Sequence, residues 1–295
     1  MDSFKISLLP PPDEIETPLV LKQLIQSHKH LAELKGVVKT IPNQQILINT
    51  LSLQEAKSSS EIENIVTTHD DLFKENIMIE SQNLATKEVM NYARGLKLGF
   101  EIVRNENLLL NKHILSIQEQ LEENKAGFRT QAGTKLINAK NEVVYTPPQN
   151  KDEILELMGN LEKFINDPSV SSLDPLTKMV VIHYQFESIH PFYDGNGRTG
   201  RIINILYLVL QGLLDLPVLY LSRYIIQYKA DYYQFLQKVR TEGDWQSFIL
   251  YLLKGVEVTA IETIALVQEI KQIMQQTKKI LREKLPKIYS QDLLN

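Results

Sequence analysis

The sequence predicts an all-α protein with one small β-hairpin, and three observations lead to this fold class. Most of the 295 residues repeat their apolar side chains three or four positions apart, which is the spacing of a helix. One segment, GFRTQAGTKLINAKNEVVYTPPQ at 127–149, instead carries two short β-leaning runs around a turn. Another, RTGRIINILYLVLQ at 198–211, is apolar on nearly every face, which is typical of a helix buried at the centre of a core.

The helices follow from apolar spacing and from capping signals along the chain. Residues 17–35 form the first helix, which Gly36 is expected to end, and the next helix follows Pro42. Asp174 and Pro175 supply an N-cap and a first-turn proline for a later helix. The remaining helices are predicted over 43–56, 68–79, 83–104, 107–122, 175–188, 198–211, 229–241, 245–254 and 256–284.

The hairpin is predicted to lie across the helical body as a flap. Its strands are TKLI at 134–137 and VVY at 143–145, with the turn-forming NAKN nearby. An isolated two-stranded hairpin is marginally stable in water. We therefore expect this one to pack on the helices.

Composition and charge restrict the classes of function. The chain has 36 Asp and Glu against 32 Lys and Arg, and this net charge of −4 argues against a general affinity for nucleic acid or anionic membranes. It has no cysteine, which excludes disulfides and thiolate zinc sites and suits a reducing compartment. The N-terminus lacks the pattern of a signal peptide, and no apolar run approaches the roughly 18 residues of a membrane span. We expect a cytoplasmic protein without a membrane partner.

The chemistry concentrates in HPFYDGNGRTGR, residues 190–201, between two predicted helices. The loop at 194–197 is rich in glycine, so a ligand can approach its backbone closely. Free amides and the helix dipole at this helix start favour an anion. Arg198 and Arg201 lie on one face of the first turn, and their planar cations suit phosphate oxygens. Two cations at a helix N-terminus disfavour the helix itself, so an anion is the natural reason for both.

Two further residues of this segment complete a reactive set. Asp194 is a hard oxygen ligand beside the anion loop, suited to Mg²⁺ shared with phosphates. His190 has an ordinary pKa near neutrality and is the candidate general base. A base, a metal ligand and an anion loop together indicate phosphoryl or nucleotidyl transfer.

HPFYDGNGRTGR matches every fixed position of H-x-F-x-[DE]-G-N-G-R-x-x-R, and the chain thereby resembles the Fic family. The resemblance implies the helical bundle of the Fic fold and transfer of AMP from ATP to a hydroxyl of Ser, Thr or Tyr on a target protein, with release of pyrophosphate. The residues carried over are His190 as the base, Asp194 as the Mg²⁺ ligand, Phe192 as the anchor of the loop, and Gly195, Asn196, Gly197, Arg198 and Arg201 as the phosphate-binding set.

The resemblance also gives roles to residues outside this signature. In Fic proteins a hairpin flap registers the target segment by strand addition, which assigns target docking to Thr134, Lys135 and Leu136. The stretch DYYQFL at 231–236 is similar to one that lines the adenine pocket in relatives, and it points to Tyr232, Tyr233 and Leu236. Such residues at helical spacing are also common in cores, so both interpretations stay open. Arg240 stands where some relatives have Asn, which leaves the contacts to the base undecided.

A second motif, SSEIEN at 59–64, matches [ST]-x-x-x-E-[GN], the inhibitory-helix motif of Fic proteins. Its place upstream resembles the class II arrangement, in which the inhibitory helix precedes the core. By that resemblance, Glu63 pairs with Arg201 and denies it to the γ-phosphate of ATP. We expect a short helix near 58–66 with Ser59 as its cap and Asn64 at its far end. The same six-residue pattern also occurs on ordinary solvated helices.

The expected organisation is a helical N-terminal region over 1–104, a Fic core over 105–255 and a helical extension over 256–295. The last residues suit the start of a winged-helix module, and nucleic acid would be a partner only if a longer chain carried one. A homodimer stays open. The leading hypothesis is an autoinhibited adenylyltransferase acting on a target protein and on itself. The alternatives are a Fic-type phosphotransferase, an enzyme that removes AMP, and a binding module with a vestigial site.

Overall fold

Helices account for nearly all regular structure in residues 5–11, 14–72, 83–137 and 140–284, which are the residues that the computed structural model describes. In chain order they are α1 (Pro18–Val38), α2 (Gln44–Ile62), α3 (Leu84–Glu106), α4 (Asn111–Glu122), α5 (Lys151–Asn166), α6 (Pro175–Ile189), α7 (Asn196–Leu210), α8 (Leu221–Gln227), α9 (Lys229–Glu242) and α10 (Trp245–Lys284). A two-stranded hairpin, β1 (Leu136–Ile137) and β2 (Val143–Tyr145), lies between α4 and α5. The predicted all-α class with a small hairpin is confirmed. Within the described ranges, no helix combines the length and apolarity needed to cross a membrane.

Two helices, α6 and α7, form the centre of the core. The residues of α6 from Leu176 to Ile189 are all buried, and so is most of α7. The apolar character of 198–211 therefore predicted the central helix correctly. Around this pair, α3 packs on α7, α2 packs on α3 and α8, and α1 packs along α10. The loop that joins α6 to α7 thus begins and ends on buried helices, which fixes its position.

Several helix ends differ from the prediction. α1 continues through Gly36 to the buried Val38, since packing there outweighs the cost of one helical glycine. α2 runs on to Ile62 instead of ending at 56, and the single helix α10 covers both 245–254 and 256–284. Local signals set these predicted ends, whereas the helices continue where the residues beyond those ends are buried.

Two helices were not predicted at all, α5 and the short α8. The N-cap of α5 is Asn150, whose side chain accepts a hydrogen bond from the backbone N–H of Asp152. The residues that α5 buries are Ile154, Leu157, Met158, Leu161, Phe164 and Ile165. Their spacing is helical, so the signal for α5 was present directly after the hairpin.

Two predicted segments fall largely outside the described residues. Of the helix predicted over 68–79, residues 69–72 are helical and the rest is not described. The suggested start of a winged-helix module, from 285 onward, also lies outside the described residues.

The hairpin is antiparallel, with Leu136 opposite Tyr145 and an irregular register at the next pair. β1 begins two residues later than predicted and leaves Thr134 and Lys135 ahead of the strand. The reason is local, because the side chain of Gln149 binds the backbone here in place of a partner strand. Its Oε1 accepts from the N–H of Gly133, and its Nε2 donates to the carbonyl of Thr134 at 3.0 Å. The prediction that Thr134 and Lys135 belong to a flap strand is therefore wrong, and Leu136 alone of the three lies in one.

Candidate active site

The signature segment forms a tight loop between α6 and α7. His190 ends α6 in a left-handed conformation with φ 49°, and Gly195 precedes α7 with φ 78°. The side chain of Asn196 closes the loop, because it accepts from the N–H of Phe192 at 2.8 Å and donates to the carbonyl of Phe192 at 2.9 Å. α7 opens at Asn196 and not at 198, which puts Arg201 in the second turn. The side chain of Asn196 thus braces the loop.

Phe192 anchors the loop in the core. Its side chain is fully buried and packs against Phe128 and Phe186, with ring centroids at 5.3 and 6.2 Å. Gln118 on α4 adds a long hydrogen bond of 3.4 Å to the carbonyl of Asp194. These contacts fix the backbone on which the reactive side chains stand.

His190 is held through its backbone by Arg129, a residue that the sequence analysis missed. Arg129 is fully buried, and its Nε donates to the carbonyl of His190 at 2.7 Å. Its backbone N–H donates to the carbonyl of Pro191 at 2.8 Å. No sequence pattern marks Arg129, which lies in an irregular segment ahead of the flap. Arg129 thus holds the backbone of the base through the two successive carbonyls of His190 and Pro191.

The surroundings of His190 keep its ring neutral. Burial, and then the positive charges of Arg129 and Arg240, lower the pKa of His190 to about 4, against the smaller opposing effects of Glu63 and Asp194. The ring Nδ1 is buried and has no hydrogen-bond partner among the described residues. A neutral imidazole with an unengaged nitrogen is the form that can accept a proton at neutral pH.

Arg198 is enclosed by carboxylates. Its Nη1 donates to Glu88 on α3 at 2.9 Å and its Nη2 donates to Glu122 on α4 at 2.8 Å, while the carboxylate of Asp194 lies 3.9 Å away. The Arg198 side chain is only 4% exposed. A Cβ placed on Gly195 would come within 2.4 Å of the Glu122 carboxylate, so a larger residue there would require Glu122 to shift. In this structure both arms of Arg198 are occupied by protein, which differs from the predicted phosphate clamp.

Arg201 is bound by the predicted inhibitory segment. Its Nε donates to Ser59 Oγ at 2.7 Å, and its Nη2 donates to the Ser59 carbonyl at 3.0 Å and to Glu63 Oε1 at 2.8 Å. The Arg201 side chain is 2% exposed, whereas that of Glu63 is 35% exposed. Residues that are 138 positions apart in the sequence are therefore paired as the motif predicts.

The segment that carries Glu63 is the end of α2 and not a separate short helix. Ser59 lies inside α2 with its neighbours Ser58 and Ser60, and all three are buried. The predicted role of Ser59 as an N-cap is therefore wrong, because no break in the helix precedes it. Glu63 follows the last residue of α2, and Asn64 has φ 64° at the far end, as expected for a helix C-terminus.

The carboxylate of Glu63 lies at the start of α7. A Cβ placed on Gly197 would come within 2.3 Å of Glu63 Oε1, so the carboxylate rests against this glycine. Burial alone would raise the pKa of Glu63, but Arg201, with help from Arg198 and Lys229, lowers it below its ordinary value. Glu63 is thus an anion at the helix N-terminus where free amides favour one.

Of the three residues predicted to line an adenine pocket, only Tyr233 is exposed, at 45%. Tyr232 and Leu236 are buried, and the hydroxyl of Tyr232 is hydrogen-bonded to Nε2 of His183 at 2.8 Å. His183 is bonded in turn to Asn204 at 3.0 Å. These contacts favour the structural interpretation for Tyr232, whereas Tyr233 remains open to a ligand.

Asp194 fits the metal ligand that the motif implies. Its side chain is 79% exposed and one carboxylate oxygen accepts from the N–H of Gly195 at 2.7 Å. Among the residues described, no three His, Cys, Asp or Glu side chains lie close enough to hold a metal by themselves. An exposed carboxylate of this kind is a ligand that Mg²⁺ accepts when phosphate and water supply the others.

Family models match most of this architecture. The model described as Fic/DOC family N-terminal matches residues 21–101, and the one described as Fic/DOC family matches residues 108–208, which include the whole signature. The chain belongs to the Fic/DOC family. The N-terminal match spans α1 to α3 and includes Ser59, Glu63 and Glu88. Residues from both matched regions thus meet at the two arginines of the signature.

Curated relatives carry the name of an activity. Protein adenylyltransferase fic-1 of Caenorhabditis briggsae is 29% identical over 174 residues, covering 57% of this chain and 32% of that protein. Protein adenylyltransferase Fic of Drosophila ananassae is 25% identical over 233 residues, covering 78% of this chain and 39% of that protein. The matched part of the chain thus spans between about a third and two fifths of the length of these relatives.

Solved structures share the fold. A Fic family protein from Desulfovibrio desulfuricans G20 superposes with a TM-score of 0.72 at 21% identity, covering 87% of this chain and 77% of that one. A Fic-1 structure from C. elegans superposes with a TM-score of 0.62 at 18% identity, covering 85% and 73%. The predicted Fic fold is confirmed.

Proposed function

We propose that this chain is a protein adenylyltransferase that Glu63 holds in an inhibited state. The single observation that carries the proposal is the position of the Glu63 carboxylate, 2.8 Å from Nη2 of Arg201 and against Gly197. The names of the curated relatives and the complete signature support AMP transfer. The cysteine-free composition, which suits a reducing compartment, supports action in the cytoplasm.

The reaction assigns one task to each group of the loop. A Ser, Thr or Tyr hydroxyl of the target attacks the α-phosphorus of ATP and loses its proton to a ring nitrogen of His190. The bond from that phosphorus to the bridging oxygen breaks, and pyrophosphate leaves with the electron pair. His190 is neutral at pH 7 because of its lowered pKa, so it needs no prior deprotonation.

The start of α7 supplies the site for the phosphates. Gly197 and the guanidinium of Arg201 border the position that Glu63 now holds, and anions are favoured at a helix N-terminus. Mg²⁺ would be held by Asp194 together with phosphate oxygens, and when bound it would neutralise charge on the leaving pyrophosphate. Arg198 contributes by holding the loop through Glu88 and Glu122.

Inhibition follows from competition for one cation. Arg201 is almost fully buried and donates to Glu63 with its Nη2, so a γ-phosphate cannot take the same arm while Glu63 is present. Glu63 stands just past the end of α2 and is partly exposed, which makes it the partner that can leave. Ser59, by contrast, holds Arg201 from within the helix and does not depend on Glu63.

The test compares Glu63→Gly with wild type and with a matched control. Glu61→Gly removes a carboxylate from the same helix end, where Glu61 pairs with Lys57 at 3.6 Å and with no other cation of the described ranges. With α-labelled ATP and Mg²⁺, we expect weak self-labelling of wild type and of Glu61→Gly, and at least about tenfold more for Glu63→Gly, since one charge-assisted contact is released. Adding His190→Ala should abolish the label.

Other outcomes point to the other hypotheses. Equal labelling of wild type and Glu63→Gly contradicts inhibition by Glu63. Label transferred only from γ-labelled ATP indicates a phosphotransferase. Loss of AMP from pre-labelled protein with wild type, but not with Glu63→Gly, indicates that Glu63 serves hydrolysis. No labelling by any variant, with ATP bound, indicates a binding module.

A further inference from the structure

Arg240, an arginine outside the signature, joins the flap to two helices of the site. Its guanidinium lies 3.9 Å from the ring centroid of Tyr145, the last residue of β2. Its Nε and Nη2 each reach Ser188 Oγ on α6 at 3.4 Å, and its Nη1 donates to Gln237 on α9 at 3.3 Å. Arg240 lies on α9, the helix that carries Tyr233, and its side chain therefore links this helix to the flap and to the helix that ends in the base.

The position of the flap depends on the contacts of Tyr145 with Arg240 and Ser188. Tyr145 is buried, and its hydroxyl donates to the carbonyl of Ser188 at 2.7 Å. The side chains farther along the hairpin, Ile137, Val143 and Val144, are exposed. A two-stranded hairpin has little stability of its own, so its placement follows from the few contacts at its base. Tyr145 makes these contacts, and the guanidinium of Arg240 covers one face of its ring.

The same contacts place the flap next to the end of α6 that carries His190. Ser188 precedes His190 by two residues on the same buried helix end, and both the Tyr145 hydroxyl and the Arg240 guanidinium bind it. A planar fork that stacks on a ring while its edge faces a hydroxyl is a property of arginine that lysine lacks. A shift of Arg240 would move the flap relative to His190 without touching the loop that faces the phosphates.

We propose that Arg240 is a positioning residue that registers the flap with His190, so that an acceptor segment bound along the flap presents its hydroxyl to the base. This inference rests on the proposed adenylyl transfer and names a determinant of acceptor alignment within it. Arg240 acts through Tyr145 and Ser188 and not through contact with ATP. Its loss therefore affects the rate at saturating ATP and leaves the affinity for ATP unchanged.

The experiment uses the full chain with Glu63→Gly as the parent. Each of three substitutions is added to this parent: Arg240→Ala, Arg240→Lys or Arg223→Ala. Arg223→Ala is the matched control, because Arg223 also lies over a ring, 6.0 Å from the centroid of Tyr220, and is paired with Glu262. Self-labelling from α-labelled ATP is followed over a range of ATP concentrations. In parallel, amide hydrogen exchange of Val143–Tyr145 is measured without ATP. The second readout needs no activity.

We expect Arg240→Ala to lower the labelling rate at saturating ATP about tenfold and to speed flap exchange by a similar factor, the size of one lost cation–π contact with its hydrogen bonds. Half-saturating ATP should stay within about twofold of the parent, because no ATP contact is removed. Arg240→Lys should recover only a small part of the rate, since it keeps the charge without the fork. Arg223→Ala should match the parent in both measurements.

Three results would overturn this assignment. A rise in half-saturating ATP at an unchanged saturating rate would make Arg240 a nucleotide ligand. Unchanged amide exchange of the flap in Arg240→Ala would show that Arg240 does not hold the flap in place. Full recovery by Arg240→Lys would mean that charge alone is used. If the parent shows no labelling, the proposed function fails, while exchange at the flap still decides whether Arg240 holds it.

Discussion

Arg198 and Arg201 lie three residues apart on α7, and both side chains are buried, yet their partners differ in kind. Arg198 is held by two carboxylates, Glu88 and Glu122, that come from separate helices of the body. Arg201 is held by one carboxylate, Glu63, that stands beyond the end of a helix and is partly exposed. The contacts of Arg198 are distributed over three elements. Ser59 holds Arg201 from within α2, but the countercharge of Arg201 comes from one partly exposed carboxylate.

The comparison shows that a signature fixes residue types while the surrounding fold fixes their tasks. Both arginines match the same motif and both suit phosphate by chemistry alone. Only Arg201 has a partner whose departure leaves a free cation beside Gly197. For Arg198, the release of one carboxylate would leave the other in place. We therefore propose that Arg201 binds the ligand and that Arg198 supports the loop.

The largest expected effect is on activity. In the Glu63→Gly background, Arg201→Ala should lower self-labelling at limiting ATP by about 100-fold or more, because a preorganised charge that faces the phosphates is lost. Arg223→Ala, an exposed arginine, serves as the control. The measurement is the initial rate with α-labelled ATP. A loss below about threefold, which is less than one charged contact supplies, would end the assignment of Arg201 to the phosphates.

The next effect is on stability and concerns Arg198. Arg198→Ala leaves two carboxylates facing each other beneath the loop, and we expect the free energy of unfolding to fall by about 3 kcal/mol, the lower end for a broken buried pair because Glu88 is partly exposed. Removing the exposed pair of Arg223 and Glu262 should cost less than about 1 kcal/mol. Urea unfolding at pH 7 measures both. An Arg198→Ala protein with full stability and no activity would instead make Arg198 a phosphate ligand.

The contacts that could be predicted from the sequence are those between residues of one short motif, or between residues of two motifs known to pair. The density of reactive residues in 190–201 indicated the anion loop, and the motif at 59–64 predicted the pairing of Glu63 with Arg201. The central helix α7 was visible because its apolar residues face every direction.

The supporting contacts had no such signal. Glu88 and Glu122 are 110 and 76 residues from Arg198, Arg129 is 61 residues from His190, and Arg240 is 52 residues from Ser188. Each is an ordinary charged residue on a helix or in a loop until the fold brings it to its partner. The fork of Arg198 looked available for phosphate because its sequence neighbours offer it no carboxylate other than Asp194.

The smallest effect, and the one that separates the base from the two arginines, is on pH dependence. The pKa of His190 is lowered from 6.5 to about 4, first by burial and then by Arg129 and Arg240, so the neutral ring persists as the pH falls through 6.5. Glu63 opposes this shift, and its removal in Glu63→Gly lowers the pKa of His190 further. Labelling by Glu63→Gly should thus stay level from pH 8 down to about 5.5 and show no loss centred on 6.5.

The profile is measured as the initial rate of self-labelling at saturating ATP, with circular dichroism at each pH to confirm folding. Arg240→Ala in the same background removes one of the two cations near His190, so its acid limb should move toward higher pH while the level region above it stays lower than in the parent. An acid limb centred near 6.5 in Glu63→Gly itself would mean that the ring is solvated like an exposed histidine. In that case burial would not set its protonation, and the enclosure of the base by Arg129 and Arg240 would have no part in catalysis.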